Sequence, residues 1–177
     1  MCEINNSPAS RAASSATRNG SAGALRTTTL VMFSLLRLLA LGLWVGAMIG
    51  FAFIFAPIAF ATIGPTPAFA ATIARVVGAV TVFGYACALI AVLASVALFG
   101  SQSRRSIAIV TLVVIMSALG LYETHAIVPL MQSTPLQTPA YDALHRRSSA
   151  VYSAILLCGL AAFVMSAWPT RPSTGSG

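Results

Sequence analysis

The composition of this chain indicates a membrane protein. Its 177 residues are 58% hydrophobic and only 7% charged, whereas a soluble domain is about a quarter charged. This shortage of charge excludes an ordinary soluble domain and predicts the lipid bilayer as the main partner. The net charge of +7 comes from arginine alone. Because these arginines flank apolar runs, they predict membrane anchoring and argue against a nucleic-acid partner.

The N-terminal segment differs in composition from the rest of the chain. Residues 1–29 are rich in Ser, Ala, Asn, Thr and Gly and lack apolar periodicity, so we expect a disordered polar tail. The apolar run that follows contains Met32 shortly before Arg37. A membrane protein with an uncleaved first helix often begins in this way, which favours a translation start later than Met1. Residues 169–177 are expected to form a short flexible tail.

Four apolar runs follow the N-terminal segment, and each exceeds the roughly 20 residues that span a bilayer. Together they predict one membrane domain over residues 30–168, an all-α four-helix bundle. The four helices are expected at residues 30–56, 67–99, 107–131 and 139–168.

Prolines and threonines mark the expected helix ends. Pro57 and Pro129 are expected to end the first and third helices, because proline lacks the backbone donor that continues a helix. Thr66 and Thr138 each precede a proline and are expected to be N-caps of the second and fourth helices.

The two predicted hairpins repeat each other at an offset of 72 residues. Between positions 57 and 75, seven of nineteen residues are identical to the residue 72 positions later, including the prolines, the N-cap threonines and the pair Arg75 and Arg147. Both hairpins enter the membrane from the same side. We therefore expect two parallel repeats related by a pseudo-two-fold axis along the membrane normal.

Arginine counts predict the orientation of the bundle. If the N-terminus is cytoplasmic, seven arginines lie on the cytoplasmic side and three on the other. The three are Arg75, Arg146 and Arg147. This distribution predicts cytoplasmic N- and C-termini, and we expect a bacterial inner membrane.

Three glycines in the first helix predict close packing. Gly42, Gly46 and Gly50 are spaced four residues apart, and small residues at this spacing let two helix backbones approach. The expected use is packing within the bundle. The alternative is a homo-oligomer formed through the first helix.

Ionisable residues inside a membrane are candidates for function because burying them is costly. Glu123 lies well inside the third helix, and Asp142, His145 and Arg146 open the fourth on one face, followed by Ser149 and Ser153. We expect these groups, with Arg75 and Arg147, to form a polar cluster near the outer surface. Its favoured role is structural, with Glu123 paired to Arg75 or Arg146; a solute or proton path is the alternative.

The two histidines are the candidate metal ligands. His125 is two residues from Glu123 and points away from it on a straight helix, but His125 and His145 could approach each other between helices. The chain lacks the spacings H-x-x-x-H and E-x-x-H, so a metal or haem site is the lesser hypothesis. No catalytic or phosphate-binding motif occurs, and we expect neither an enzyme nor a cofactor.

Several short motifs resemble a known family. They are Phe55-Ala56-Pro57 after the glycine-rich first helix, Ile127 to Met131 closing the third, and Leu144 to Ser149 opening the fourth. They resemble the four-helix family called domain of unknown function 4149, or transmembrane-protein-205-like, over roughly residues 38–168. The resemblance implies a small membrane protein without an established biochemical activity. The eukaryotic branch of that family is linked to resistance to a platinum drug.

Two functions are therefore expected. The first is a non-enzymatic membrane protein that supports transport of, or resistance to, a small solute or metal. The alternative is a redox membrane protein that binds a metal or haem at a site on the outer side.

Reporter fusions test the predicted orientation. A reporter active only in the cytoplasm should be active when fused after Arg105 and inactive when fused after Gln137, because these positions lie at opposite ends of the third helix. Activity after Gln137 would contradict cytoplasmic termini.

Overall fold

A computed structural model describes the backbone of residues 8–168 and the side chains of residues 27–100 and 103–168. Every regular element in this part of the chain is helical. In chain order the elements are α1 (Pro8–Gly50), a π-helical turn (Phe51–Phe55), α2 (Ala56–Ile63), α3 (Pro67–Ala97), α4 (Phe99–Tyr122), a second π-helical turn (Glu123–Ile127), α5 (Val128–Ser133) and α6 (Pro139–Ala167).

These elements combine into four segments long and apolar enough to cross a membrane, which we call spans 1 to 4. They are Thr27–Ile63, Pro67–Ala97, Ser103–Ser133 and Pro139–Ala167, with mean hydropathy between 2.0 and 2.4. The predicted all-α, four-helix fold is confirmed.

The four spans form a square bundle. Span 1 packs against spans 2 and 4, and span 3 packs against the same two, whereas among the described residues no Cα atoms of the diagonal pairs, α1 with α4 and α3 with α6, lie within 8 Å of each other. Between 17% and 28% of each span's most apolar stretch is buried. Most apolar side chains therefore face outward, as expected of helices surrounded by lipid.

The helix starts in the two hairpins lie where the sequence predicts them. α3 begins at Pro67 and α6 at Pro139. The hydroxyl of Thr66 accepts a hydrogen bond from the backbone N–H of Phe69, and that of Thr138 accepts one from Tyr141, both at 3.2 Å. Both N-caps are therefore confirmed.

The N-terminal segment differs from the expectation. α1 begins at Pro8, so residues 8–29 are helical rather than a disordered tail, and they continue directly into span 1. Residues 1–7 and 169–177, where the remaining parts of the two tails were expected, lie outside the described residues.

Pro57 and Pro129 do not end their helices, contrary to the prediction. Span 1 continues to Ile63 and span 3 to Ser133. The reason is a π-helical turn immediately before each proline. The N–H of Ala56 bonds to the carbonyl of Phe51, five residues back, and the N–H of Val128 bonds to that of Glu123. This wider turn accommodates a residue that cannot donate a hydrogen bond.

The two helices end several residues after these prolines, and the loops that follow are short. At the end of span 1, Gly64 has φ +71°, a conformation that glycine adopts without steric cost. The two connections at this end of the bundle, residues 64–66 and 134–138, are three and five residues long. We call it the loop end.

The two π-helical turns, Phe51–Phe55 and Glu123–Ile127, are themselves 72 residues apart. This is the offset at which the sequence repeats. The agreement supports the interpretation that one hairpin repeats the other, since a π-helical turn is rare in helices generally.

The predicted glycine interface is correct only at one of its three positions. A Cβ added to Gly42 would lie 3.1 Å from the ring of Phe163 in span 4, whereas a Cβ on Gly46 or Gly50 would meet open space. The spacing identified small residues, but the face between Gly46 and Gly50 does not pack inside the bundle.

Two other glycines allow the close helix contacts. A Cβ on Gly84 would lie 2.7 Å from Trp44 Cε2, and one on Gly159 would lie 2.8 Å from Met116 Cε and 2.9 Å from Val45 Cγ2. Trp44 and Met116 belong to the buried core. These glycines therefore let spans 2 and 4 approach the core side chains of spans 1 and 3.

At the opposite end of the bundle, where span 4 ends, an arginine joins two spans. The guanidinium of Arg105 in span 3 donates hydrogen bonds to the carbonyls of Met165 and Trp168 at the end of span 4. Carbonyls at a helix C-terminus lack partners within the helix, so Arg105 both caps span 4 and ties it to span 3. Arg37 is buried, with 1% of its surface exposed.

Substitution of these glycines tests the packing. Gly84→Ala and Gly159→Ala should each lower the free energy of unfolding by about 1–3 kcal/mol, because the added methyl overlaps core side chains. Gly46→Ala is the matched control and should cause no loss. Thermal unfolding in detergent, followed by tryptophan fluorescence, measures the effect. Equal stability of all three variants would contradict the assigned interfaces.

Candidate functional site

A cavity of about 380 Å³ lies between the hairpins toward the loop end. Its lining extends along α3 from Phe69 to Val77 and along α6 from Tyr141 to Ser153. Ser153 is fourteen residues from the start of α6 at Pro139, or about 21 Å along the helix. The cavity therefore reaches roughly the middle of a bilayer whose hydrocarbon core is about 30 Å thick.

The two hairpins supply chemically different walls. The first contributes only apolar side chains: Phe51, Ala52, Ala56, Phe69, Ala70, Ile73, Ala74 and Val77. The second contributes every polar one, namely Glu123, Gln132, Tyr141, His145, Ser148, Ser149, Tyr152 and Ser153, together with Val128 and Met131. The cavity is thus amphipathic: the first hairpin forms its apolar wall and the second hairpin forms its polar wall.

The apolar and polar walls are built from equivalent positions of the 72-residue repeat. Five pairs of lining residues are 72 positions apart: Phe51 and Glu123, Ala56 and Val128, Phe69 and Tyr141, Ile73 and His145, Val77 and Ser149. Equivalent positions of the two hairpins therefore face the same space. In four of the five pairs the second hairpin has a polar group where the first has an apolar side chain.

Glu123 is the most deeply placed ionisable group of this site. It is the first residue of the second π-helical turn and has 4% of its surface exposed. The hydroxyl of Ser148 in span 4 donates a hydrogen bond to Oε1. Oε2 is buried and has no hydrogen-bond partner among the described residues. A buried polar oxygen without a partner carries a desolvation cost, so the Glu123 carboxyl keeps an unused capacity to accept a hydrogen bond.

The expected arginine partners do not reach Glu123. Within the described residues no ion pair joins it to Arg75 or Arg146, and its side-chain partner is Ser148. Arg75 and Arg146 are exposed, because their positions in α3 and α6 lie off the faces that line the cavity. The predicted structural clasp is therefore wrong.

The remaining cluster residues separate into two groups. His145 lines the cavity and stacks on Tyr141, with ring centroids 6.4 Å apart. Asp142 is exposed and does not line it. The guanidinium of Arg147 lies over the ring of Tyr122 at 5.3 Å from the centroid, a cation–π contact between spans 3 and 4. Of the predicted cluster, Glu123, His145, Ser149 and Ser153 line the cavity, whereas Arg75, Asp142, Arg146 and Arg147 do not.

The candidate metal ligands are not brought into a cluster. His125 is exposed while Glu123, two residues earlier, is buried, as the opposite directions of their side chains predict. Among the described residues no group of three or more His, Cys, Asp or Glu side chains could hold a metal ion. The histidines therefore give the metal or haem hypothesis no geometric support.

Sequence reasoning missed Ser148 and Tyr152. The hydroxyl of Tyr152 donates to the carbonyl of Met48 at 3.2 Å, and its ring lies 5.6 Å from that of Phe51. The signal was present in the spacing: Tyr141, His145, Ser148 and Tyr152 follow one another at intervals of four, three and four residues, which is one helical face.

Comparison with known families gives a single assignment. Residues 39–140 match the family described as Domain of unknown function (DUF4149), and this segment covers more than half of the 177 residues. The chain belongs to this family. Comparisons with curated proteins and with solved structures found no match.

The matched segment covers part of the cavity. It includes the apolar wall and Glu123 but ends at Ala140, whereas the resemblance was expected to continue to Trp168. Ser148 and the other polar residues of span 4 follow the matched segment, so the family assignment carries no statement about them.

Substitution of Ser148 tests the contact with Glu123. Ser148→Ala should lower the free energy of unfolding by about 1–3 kcal/mol, because it leaves the buried Glu123 carboxyl without its donor. Ser149→Ala removes a neighbouring cavity hydroxyl that does not bond to Glu123, and it should change stability little. Thermal unfolding of both variants in detergent measures the difference. A Ser148 variant as stable as the Ser149 variant would show that the hydrogen bond does not stabilise the fold.

Proposed function

We propose that this protein is a non-enzymatic membrane protein that holds a small solute in the cavity at the loop end and thereby supports transport of, or resistance to, that solute. The observation that carries the proposal is an amphipathic cavity with a buried carboxyl group in its wall. Ligand sites are concave, mostly apolar, and equipped with a few polar groups that orient the ligand.

The size and chemistry of the cavity support a small organic solute. Its volume of about 380 Å³ lies near the lower end of the roughly 300–1,000 Å³ of small-molecule pockets. Apolar side chains of the first hairpin favour a hydrocarbon group. A polar group would meet Glu123, Ser148 and Tyr152 on the other side.

The depth of the site supports a role across the membrane. A buried carboxyl costs free energy in a span, and here the hydrogen bond from Ser148 satisfies only one of its two oxygens. Most buried polar side-chain atoms have a hydrogen-bond partner within the protein. The arrangement therefore favours contact with a solute over a purely structural role.

We further propose a bacterial inner membrane and cytoplasmic termini. Helical spans suit that membrane, whereas single-chain proteins of the outer membrane are barrels, and the arginine excess at the termini supports the orientation. The open space at Gly46 and Gly50 supports the alternative use of this face, association of two copies through span 1.

Filling the cavity tests solute binding. Ala74 lines it, while Ala79 on the same helix is exposed and does not. Ala74→Phe should abolish binding because the ring occupies the space, and Ala79→Phe should preserve it. The measurement is the rise in melting temperature of purified protein in nanodiscs with a panel of small aromatic solutes that are neutral, cationic or anionic.

The panel separates the outcomes. At least one solute should stabilise the wild type and Ala79→Phe but not Ala74→Phe. A complete absence of stabilisation, or stabilisation that survives Ala74→Phe, would overturn the assignment of this cavity as a binding site.

A further inference from the structure

The unpartnered oxygen of Glu123 restricts the kind of solute that the cavity suits. Oε1 already accepts a hydrogen bond from Ser148, whereas Oε2 has no partner. A cation bound beside Glu123 would favour its ionised form, in which the carboxylate can accept hydrogen bonds but cannot donate them. A solute that satisfies Oε2 must then supply an N–H or O–H donor.

Charge favours a cation among such donors. Glu123 is the only carboxyl group in the lining, and none of the described arginines lines the cavity. Arg147, the nearest in sequence to Ser148, instead lies over Tyr122. A buried ionised carboxylate is costly without a counter-charge, so an ammonium group would offset more of this cost than a neutral donor.

The surrounding rings suit the same group. Phe51 and Tyr152 both line the cavity, with ring centroids 5.6 Å apart, and Tyr152 is four residues from Ser148 on the same face of α6. The faces of aromatic rings attract cations. The apolar wall of the first hairpin offers no polar partner, so the rest of the solute must be hydrocarbon.

We propose that the solute is an amphipathic amine: a primary or secondary ammonium that donates to the carboxylate of Glu123, attached to a hydrocarbon body that packs against the wall of the first hairpin. Ser148 holds this carboxylate through Oε1 and so orients it. This assignment rests on the proposed function, because it requires that the cavity binds a solute.

Three probes of matched shape and different charge test the assignment. They are 2-phenylethylamine, which is a cation at neutral pH, 2-phenylethanol, which is neutral, and phenylacetate, which is an anion. Equilibrium dialysis against protein in nanodiscs gives each Kd, and empty nanodiscs correct for partition into lipid. The amine should bind the wild type at least about tenfold more tightly than the alcohol, because hydrogen bonds to charged groups are about twice as strong as neutral ones. Phenylacetate should bind most weakly.

Carboxylate-to-amide variants locate the source of the preference. Glu123→Gln should bring the Kd of the amine to within about twofold of that of the alcohol. Asp142→Asn is the matched control, since it removes an exposed carboxylate of α6 outside the cavity, and it should keep the preference. If Glu123→Gln is not recovered folded, the order of the three probes on the wild type decides alone.

The outcomes distinguish this assignment from the proposed function. Equal binding of amine and alcohol by the wild type, abolished by Ala74→Phe, would overturn the amine assignment and leave the cavity as a binding site. A preference for the amine that survives Glu123→Gln would also overturn it. Failure of all three probes to bind the wild type would count against the proposed function and the amine assignment together.

Discussion

The structure depends on one constraint: within a bilayer, every backbone polar group must find its partner inside the protein. A proline inside a helical span removes one donor and displaces the carbonyl four residues earlier. Spans 1 and 3 each contain such a proline, Pro57 and Pro129, and each places a π-helical turn directly before it. The helix thereby continues to the loop end, and the loops shorten to a few residues.

The same turns border the cavity. Phe51 and Glu123 are the first residues of their turns, and both line the cavity. Toward the opposite end the bundle is closely packed: Trp44 and Met116 belong to the buried core, and Gly159 lies against Met116. The cavity therefore occupies the half of the bundle in which the helices depart from regular α geometry.

The polar side chains that line the cavity come from the second hairpin. Along the five equivalent pairs of lining positions, apolar side chains of the first hairpin face mostly polar ones of the second. The carboxyl of Glu123 is consequently bordered by hydrocarbon on one side and by hydroxyl groups on the other. This carboxyl is held at a defined depth, because Ser148, its side-chain donor among the described residues, is fixed on a neighbouring span.

The features that the sequence predicts well are local ones. The N-caps Thr66 and Thr138 and the prolines that follow them are recognisable because a cap involves only four consecutive residues. The continuation of span 1 beyond Pro57 was not predictable, since the rules for proline assume a regular helix before it. Membership of the four-helix class followed from composition and run length, which depend little on such details.

The central residue of the site, Glu123, could be predicted from the sequence, but the residues that contact it could not. A carboxylate within an apolar run singles out Glu123 without any knowledge of the fold. Its partner depends on how spans 3 and 4 are rotated, and a rotation of about 100° separates neighbouring positions on a helix. Arg146 and Ser148 differ in sequence by only two positions, yet one faces outward and the other meets Glu123. Gly46 lies one turn from Gly42 on nearly the same face of the helix, yet a Cβ there would meet open space.

The π-helical turns also have an evolutionary consequence. Such a turn closes its hydrogen bond over five residues instead of four, so it holds one residue more than the α-helical turn it replaces. Deleting a single codon within residues 51–55 or 123–127 would restore a regular helix and rotate one part of the span by about 100° relative to the other. A single in-frame codon thus separates a span that lines this cavity from a span that turns the same side chains toward lipid. Conversely, inserting one codon is the shortest mutational route by which an ordinary α-helical hairpin could acquire such a turn.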